Sequence, residues 1–284
     1  MTRERQLERG DSRETRNSAA KLHECSTPRR ILTYHEVEPE KSAYIYAVTS
    51  QQLDEQLNVV AQRNRREADS TELTFDDGHI SNYEIARPAL ERHGLKAVFF
   101  VTVGRVGTAP QTMNWQQLRT LTNAGHSVQS HGWSHKFLIL CSPTELRDEL
   151  RRSKAELEQQ TGVPVFSISL PGGRWNARVL RAAADAGYQR VYTSEFWRKT
   201  EVCQGVRLSG RFMIRSDISN GQFERWLSMD VQSLRMMRAK NLLQNAVRRM
   251  TGERLYHELW CWLAVSGRSS ADKESEQVSL HRTS

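Results

Sequence analysis

The sequence predicts an α/β fold built on a parallel sheet, and three observations lead there. Ala97-Val98-Phe99-Phe100-Val101 is an unbroken apolar run of the kind that forms a strand buried on both faces. Strand-like runs alternate with helical patterns along the chain, and Gly94, Gly125, Gly162 and Gly187 stand at the helix ends. Asp76, Asp77, His131 and Pro171 fall at the C-terminal ends of predicted strands, where parallel barrels carry their active groups. The number of strand–helix units, about six or seven, favours a barrel over a small open sheet.

Taken in order, residues 1–28 read as a disordered arm of mixed charge. Residues 31–34 give a short strand, and residues 50–63 a helix with Leu53, Leu57 and Val60 on its apolar face. Residues 71–75 form a strand that ends at the twin aspartates, and residues 85–93 a helix stopped by Gly94. After the apolar run come a helix over 115–124 and a strand over 126–130 that leads into His131. Ser142-Pro143-Thr144-Glu145 opens a long helix with a capping residue and a first-turn proline, and Gly162 closes it. Strands over 165–170, 188–193 and 206–214 follow, with a helix over 176–186.

The pattern changes near Asp230. Leu234, Met237, Leu242, Ala246 and Met250 make a helical apolar stripe among Arg235, Arg238, Lys240, Arg248 and Arg249. A second piece carries Leu255, Leu259, Trp260, Trp262 and Leu263, and a polar tail follows Ser266. The expected organisation is therefore an arm (1–28), a catalytic domain (29–220), and a basic amphipathic helical extension with its tail (221–284).

A net charge of +8 and a pI near 9.5 suit an anionic neighbour, with solubility alone as the plain alternative. Cys25, Cys141, Cys203 and Cys261 form no CxxC pair, which argues against a cysteine zinc site and against a dense disulfide scaffold. The first thirty residues hold no apolar signal region, and no apolar run approaches the ~18 residues that span a bilayer. A cytoplasmic protein is expected, with peripheral contact between residues 230–265 and an anionic membrane as one reading of the stripe and packing against the barrel as the other. Nucleic-acid binding rests on net charge alone, with no recognisable module, and is not expected.

The chemistry lies in Leu73-Thr74-Phe75-Asp76-Asp77-Gly78 and His131-Gly132-Trp133-Ser134-His135. Asp77, His131 and His135 supply one carboxylate and two imidazoles, an open three-ligand site for a divalent metal, with zinc the default for that set. Adjacent side chains point apart, so Asp76 is placed to take a proton from metal-bound water rather than to join the ligands. Either motif alone is common; both directly after strands of one parallel array is not.

These motifs resemble those of the NodB-type polysaccharide deacetylases, carbohydrate esterase family 4, which read Thr-Phe-Asp-Asp-Gly and His-[Ser/Thr]-x-x-His. The resemblance runs from Tyr34 to about Ile214. Tyr34-His35-Glu36-Val37 and Val48-Thr49-Ser50-Gln51-Gln52-Leu53 are similar to the branch that acts on N-acetylglucosamine exopolysaccharides. It implies a distorted (β/α)7 barrel, Asp76 as general base, and Asp77, His131 and His135 as metal ligands. The implied reaction removes N-acetyl groups from an amino-sugar glycan or lipid-linked saccharide, with metal-bound water as nucleophile.

The third and fifth motifs depart from the family. The third, an Arg followed by Pro-Tyr-Gly, here reads Leu170-Pro171-Gly172-Gly173-Arg174, so Gly172 replaces the aromatic residue. The usual upstream Arg that tunes the base is absent, Ser167 and Ser169 lie in its region, and Arg174 is the candidate substitute. The backbone N–H of Gly172 suits an oxyanion donor. The fifth motif, Leu-x-His, has Met213-Ile214-Arg215 in its place, so the general-acid His is missing and Arg215 is left to stabilise a developing anion. Either His35 donates the proton, or Asp76 relays it to the leaving amine.

His79 is a candidate substrate contact, and Trp133 and Trp175 are candidates to stack on sugar faces, with core packing the competing reading of both tryptophans. His126 is read as structural. Two other functions compete: an amidohydrolase of a small nitrogenous molecule, and a non-catalytic carbohydrate- or membrane-binding relative. The intact Asp76 argues against the second, because a metal-only scaffold has no need of it.

Overall fold

The computed structural model describes residues 30–66, 71–196, 200–239 and 242. In chain order the strands and α-helices are β1 (Ile31–Tyr34), β2 (Glu36–Glu38), β3 (Ala47–Thr49), α1 (Ser50–Arg66), β4 (Glu72–Phe75), α2 (Arg87–Arg92), β5 (Ala97–Val101) and α3 (Trp115–Asn123). There follow β6 (Ser127–Ser130), α4 (Pro143–Thr161), β7 (Ser167–Ser169), α5 (Ala177–Asp185), β8 (Arg190–Thr193), β9 (Glu201–Cys203), β10 (Val206–Gly210), β11 (Phe212–Met213) and α6 (Asn220–Leu227). The main sheet has the order β11-β1-β4-β5-β6-β7-β8-β10-β9. Its pairings are parallel except for β9, which lies antiparallel on β10. β2 and β3 pair separately.

The two ends of this array meet in one segment. β10 pairs with β8, and β11, one residue further along, pairs with β1. Arg211 is the residue between them. The single strand expected over 206–214 is thus split, because its halves serve different neighbours. No one ladder crosses the junction. The parallel members β1, β4, β5, β6, β7, β8 and the split strand form one α/β array, and the 206–213 segment joins its two ends by chain connection rather than by a shared ladder.

Strand alternation sorts side chains onto two faces. On the face under the helices, Tyr34, Phe75 and Phe99 stack at 5.2 and 5.1 Å across β1, β4 and β5. They join Leu53, Leu57 and Val60 of α1, Leu146, Leu150 and Leu157 of α4, and Val179 and Leu180 of α5 in the main core. Each such buried side chain contributes roughly 2 kcal/mol. The opposite face holds a small apolar cluster of Ile31, Phe100 and Tyr192. Thr33, Thr74 and Ser169 have the same strand parity as that cluster, and Asp76 and Arg211 continue it beyond β4 and β10. A buried polar layer therefore sits at the end of the array where the chemistry was expected.

The helices start where the sequence says. Ser142 and Glu145 form a reciprocal capping box at α4, Pro143 occupies its first turn, and Gly162 ends it with φ of 72°. The helix expected over 85–93 instead opens as a π-helical turn, Asn82–Ala86, before α2. Pro88 has no N–H to close the normal i→i−4 bond, so the turn preceding it is free to widen.

Packing continues past residue 220, where the domain was expected to end. Phe223, Trp226 and Leu227 of α6 are buried, and Trp226 stacks on Phe212 at 5.8 Å. Residues 231–239 are helical; Leu234 and Met237 pack against the core while Arg235 and Arg238 are exposed. That part of the stripe packs on the core. The arm, the rest of the stripe apart from exposed Leu242, the tryptophan-rich piece and the tail lie outside the described residues. Among the described residues no helix is long and apolar enough to cross a membrane.

Candidate metal centre

Asp76 directly follows β4, and its N–H donates to the Tyr34 carbonyl at 2.9 Å, extending the ladder by one residue. The chain then turns sharply, with Asp77 at φ of 72° and Gly78 at 81°. His131 follows β6, its N–H donating to Val101 at 2.8 Å, and His135 has φ of 68°. Left-handed backbone is costly for residues with a Cβ, and it recurs here at two of the three expected ligands. Those turns bring distant loops together.

The Asp77 Oδ1 atom lies 3.3 Å from His131 Nε2 and 3.1 Å from His135 Nε2. The three groups are mutually close enough to hold one metal ion. His131 Nδ1 sits 2.8 Å from the Ser169 carbonyl, which can only accept, so Nδ1 carries its hydrogen. In the neutral ring the Nε2 lone pair then faces a carboxylate oxygen. Asp77 Oδ1 is buried and has no well-aligned hydrogen bond. A cation between them, or a proton on Nε2, relieves that crowding, so the donor set fits a divalent metal. Burial disfavours the His131 cation, but Asp76 and Asp77 outweigh it and raise its pKa. Burial also opposes ionisation of Asp77, yet the His135 charge and hydrogen bonds from both imidazoles hold its carboxyl well below the usual range.

Asp76 faces the other way, as adjacent residues should. Its carboxylate is gripped by Arg211, with Nη1 to Oδ1 and Nη2 to Oδ2 both at 2.8 Å. The Ser169 hydroxyl donates to Oδ2 at 2.9 Å and accepts from Arg211 Nη2 at 2.8 Å. Arg211 also donates to Thr74 Oγ1 at 3.1 Å, and its guanidinium lies 5.5 and 5.7 Å from the Phe100 and Tyr192 ring centres. Both partners are about 2% exposed. Burial alone would raise the Asp76 carboxyl; the Arg211 charge, then His131, bring it down to about 2. Ser169 bridges the two halves: its hydroxyl touches Asp76 and its carbonyl orients His131.

Arg211 corrects the expectation placed on Arg174. The Arg174 guanidinium lies over the Phe137 ring at 4.5 Å, while the cation beside Asp76 comes from the split of the last strand. The missed signal was parity. In 206–211 the apolar positions alternate with Arg207, Ser209 and Arg211, which puts the last Arg on the interior face at the strand's C-terminal end.

The remaining candidates divide. His35 follows β1 and lies close enough to Asp77, Asp76 and His131 to feel their charges, though burial dominates and lowers its pKa. Its Nδ1 is buried with no hydrogen-bond partner, and its ring lies 5.2 Å from that of Tyr46. Gly172 is exposed with φ of 65°, and a Cβ there would sit 2.5 Å from the Phe137 ring. The aromatic side chain missing from the third motif therefore has no room, because Phe137 takes the space. One face of Trp133 is covered by the Arg152 guanidinium at 3.5 Å, and Trp175 donates its Nε1–H to Glu195 at 3.3 Å. Arg215 pairs with Asp217 through Nε at 2.9 Å and through Nη2.

His79 is held at both ring nitrogens, by Ser81 at 2.7 Å and Gln111 at 2.9 Å. It also clusters with Glu36 and Glu38. These bonds leave no free nitrogen for the substrate contact expected of it. His126 accepts from the Ala97 N–H at 3.3 Å and packs edge-on against Phe99, the structural role its sequence position implied.

Residues 63–191 match the family described as polysaccharide deacetylase. YxkH of Bacillus subtilis is 32% identical over 123 residues, which cover 43% of this chain and 44% of the relative. A chitooligosaccharide deacetylase of Bradyrhizobium sp. is 32% identical over 128 residues, covering 44% of this chain and 56% of the relative. The chain thus matches about half the length of these relatives. The solved structure of the Streptococcus pyogenes deacetylase PplD in complex with acetate aligns with a TM-score of 0.60 at 23% identity, covering 71% of this chain and 98% of that one. That likeness supports the α/β fold.

Proposed function

We propose that this protein is a metal-dependent deacetylase that hydrolyses the N-acetyl group of an amino-sugar glycan or lipid-linked saccharide. The observation that carries the proposal is the Asp77 carboxylate lying within 3.3 Å of both His131 and His135, with Asp76 held beside them by Arg211. The match of residues 63–191 to the deacetylase family and the chitooligosaccharide activity in one relative's name support the same reading.

In this account Asp77, His131 and His135 hold one divalent cation, and two imidazoles with a carboxylate suit zinc. When bound, the cation acidifies water and polarises the amide carbonyl. Asp76 accepts the proton from the attacking water. With a carboxyl near 2 it stays ionised across the working pH range, and Arg211 and Ser169 fix its orientation. The Gly172 N–H, at an exposed turn on the same end of the barrel, is the proposed oxyanion donor. The leaving amine takes up a proton either from Asp76, which relays the one drawn from water, or from His35, which lies beside both aspartates with a buried, unpartnered Nδ1; Arg215 is committed to Asp217.

The test is acetate release from N-acetylglucosamine oligomers, before and after chelation and on re-addition of zinc. Release that is lost and then restored supports the proposal. Release insensitive to chelation, with no metal in the protein, removes it.

A further inference from the structure

Helix α4 reaches the loop that carries both imidazoles through three side chains on one face: Glu149, Arg152 and Ser153, spaced i, i+3 and i+4. Glu149 is 7% exposed, unusual for a carboxylate on the outer layer of a barrel. Its Oε2 accepts the N–H groups of Trp133 at 2.8 Å and Ser134 at 2.9 Å, and its Oε1 accepts the Ser134 hydroxyl. Two consecutive N–H groups thus converge on one anion, the arrangement of a backbone nest. Gly132 permits it: a Cβ there would lie 3.4 Å from the same Oε2, and φ of 79° is a backbone shape that side chains resist.

Two further contacts hold the loop from the same helix. The Ser130 hydroxyl accepts the Gly132 N–H at 3.1 Å and donates to Ser153 at 3.0 Å, while Arg152 covers the Trp133 ring. The family motif places a hydroxyl residue directly after the first His. Here Gly132 occupies that position, the hydroxyl sits at Ser134, and it is gripped by α4. All three Glu149 bonds fall between His131 and His135, so they act on the separation of the two rings.

We infer that Glu149 is a positioning residue for the metal centre: it sets the distance between His131 and His135 by clamping the backbone that joins them. The inference rests on the proposal that Asp77, His131 and His135 hold a divalent metal. It adds that the affinity for that metal is governed by a helix that contributes no ligand.

The test is zinc affinity of the full chain, by competition with a chromophoric chelator, alongside thermal unfolding of the chelated protein. Glu149→Ala is expected to weaken zinc binding by about 10- to 100-fold, the range for outer-shell partners of metal ligands. Glu149→Gln keeps an acceptor for the two N–H groups and is expected to recover most of that loss. Ser134→Ala removes one bond of the three and is expected to weaken binding several-fold. Glu156→Ala, on α4 but paired with Gln160 and away from the loop, is expected to match the wild type. A residue that merely props up the fold would lower the unfolding temperature of the chelated protein and leave zinc affinity of the folded protein unchanged. That result for Glu149→Ala overturns the inference; if that variant does not fold, wild-type zinc affinity in Ser134→Ala does so. A wild-type protein that binds no zinc removes the metal proposal and this inference with it, whereas tight binding in both wild type and Glu149→Ala removes the inference alone.

Discussion

Replacing Arg211 by Met should expose how the base is built. The substitution keeps a chain of similar length but removes the guanidinium, leaving Asp76 buried beside apolar atoms. In the wild type the carboxyl is lowered from its ordinary 3.8 to about 2, which corresponds to about 2 kcal/mol of stabilisation. That contribution is fully present above the unfolded-state value and is lost as pH falls from 3.8 towards 2. Without Arg211 the burial that already opposes ionisation acts unopposed by its largest counterweight, and Asp76 titrates above its ordinary value. Removing one partner of such a buried pair costs about 3–5 kcal/mol at neutral pH. The variant regains part of this as Asp76 takes up a proton, so the gap to the wild type narrows on acidification. Urea unfolding of the chelated proteins at neutral pH and at successively lower pH measures that gap. Adding Asp76→Asn to Arg211→Met should cost less than the sum of the two single changes, because the stranded charge is gone. A gap under about 1 kcal/mol at neutral pH, or one that does not narrow in acid, would show that Arg211 is not the partner that keeps Asp76 ionised.

Other consequences are equally open to measurement. Zinc affinity should tighten as pH rises, because His131, with its raised pKa, must lose its Nε2 proton to bind metal; affinity flat across its titration, read by chelator competition, contradicts this. Gly172→Ala places a Cβ against Phe137 at a φ of 65° and should destabilise the fold by about 2 kcal/mol or more. Phe137→Ala should relieve the clash but not the backbone strain, so a double-mutant cycle by thermal unfolding should show positive coupling, and strict additivity would argue against it. His35→Asn should lower kcat for acetate release while leaving zinc content unchanged, if His35 is the proton donor; an unchanged kcat returns that role to the relay through Asp76.

Legibility followed physical range. Asp76, Asp77, His131 and His135 could be read directly because each directly follows a strand or lies four residues on in the same loop, and a parallel array places strand ends together. Helix starts at Ser142 and stops at Gly162 are local chemistry and were visible for the same reason. Arg211 was not, because it lies in a different strand segment from the third motif, where the family carries its arginine. Strand order makes β11 a neighbour of β1, and only that pairing puts a side chain 135 residues away against Asp76. Occupancy was hidden too. Nothing local to Gly172 says that Phe137 fills the space above it, and nothing in Trp133 says that Arg152 covers its face. The burial of Phe223 and Trp226 was not legible either, because they follow a polar stretch and join the core through α6.

The most direct test of the central claim is a paired assay of Asp76→Asn and His131→Ala for bound zinc and for acetate released from N-acetylglucosamine oligomers. The account predicts that Asp76→Asn retains zinc and loses turnover, whereas His131→Ala loses both. Wild-type release of acetate by either variant would contradict it.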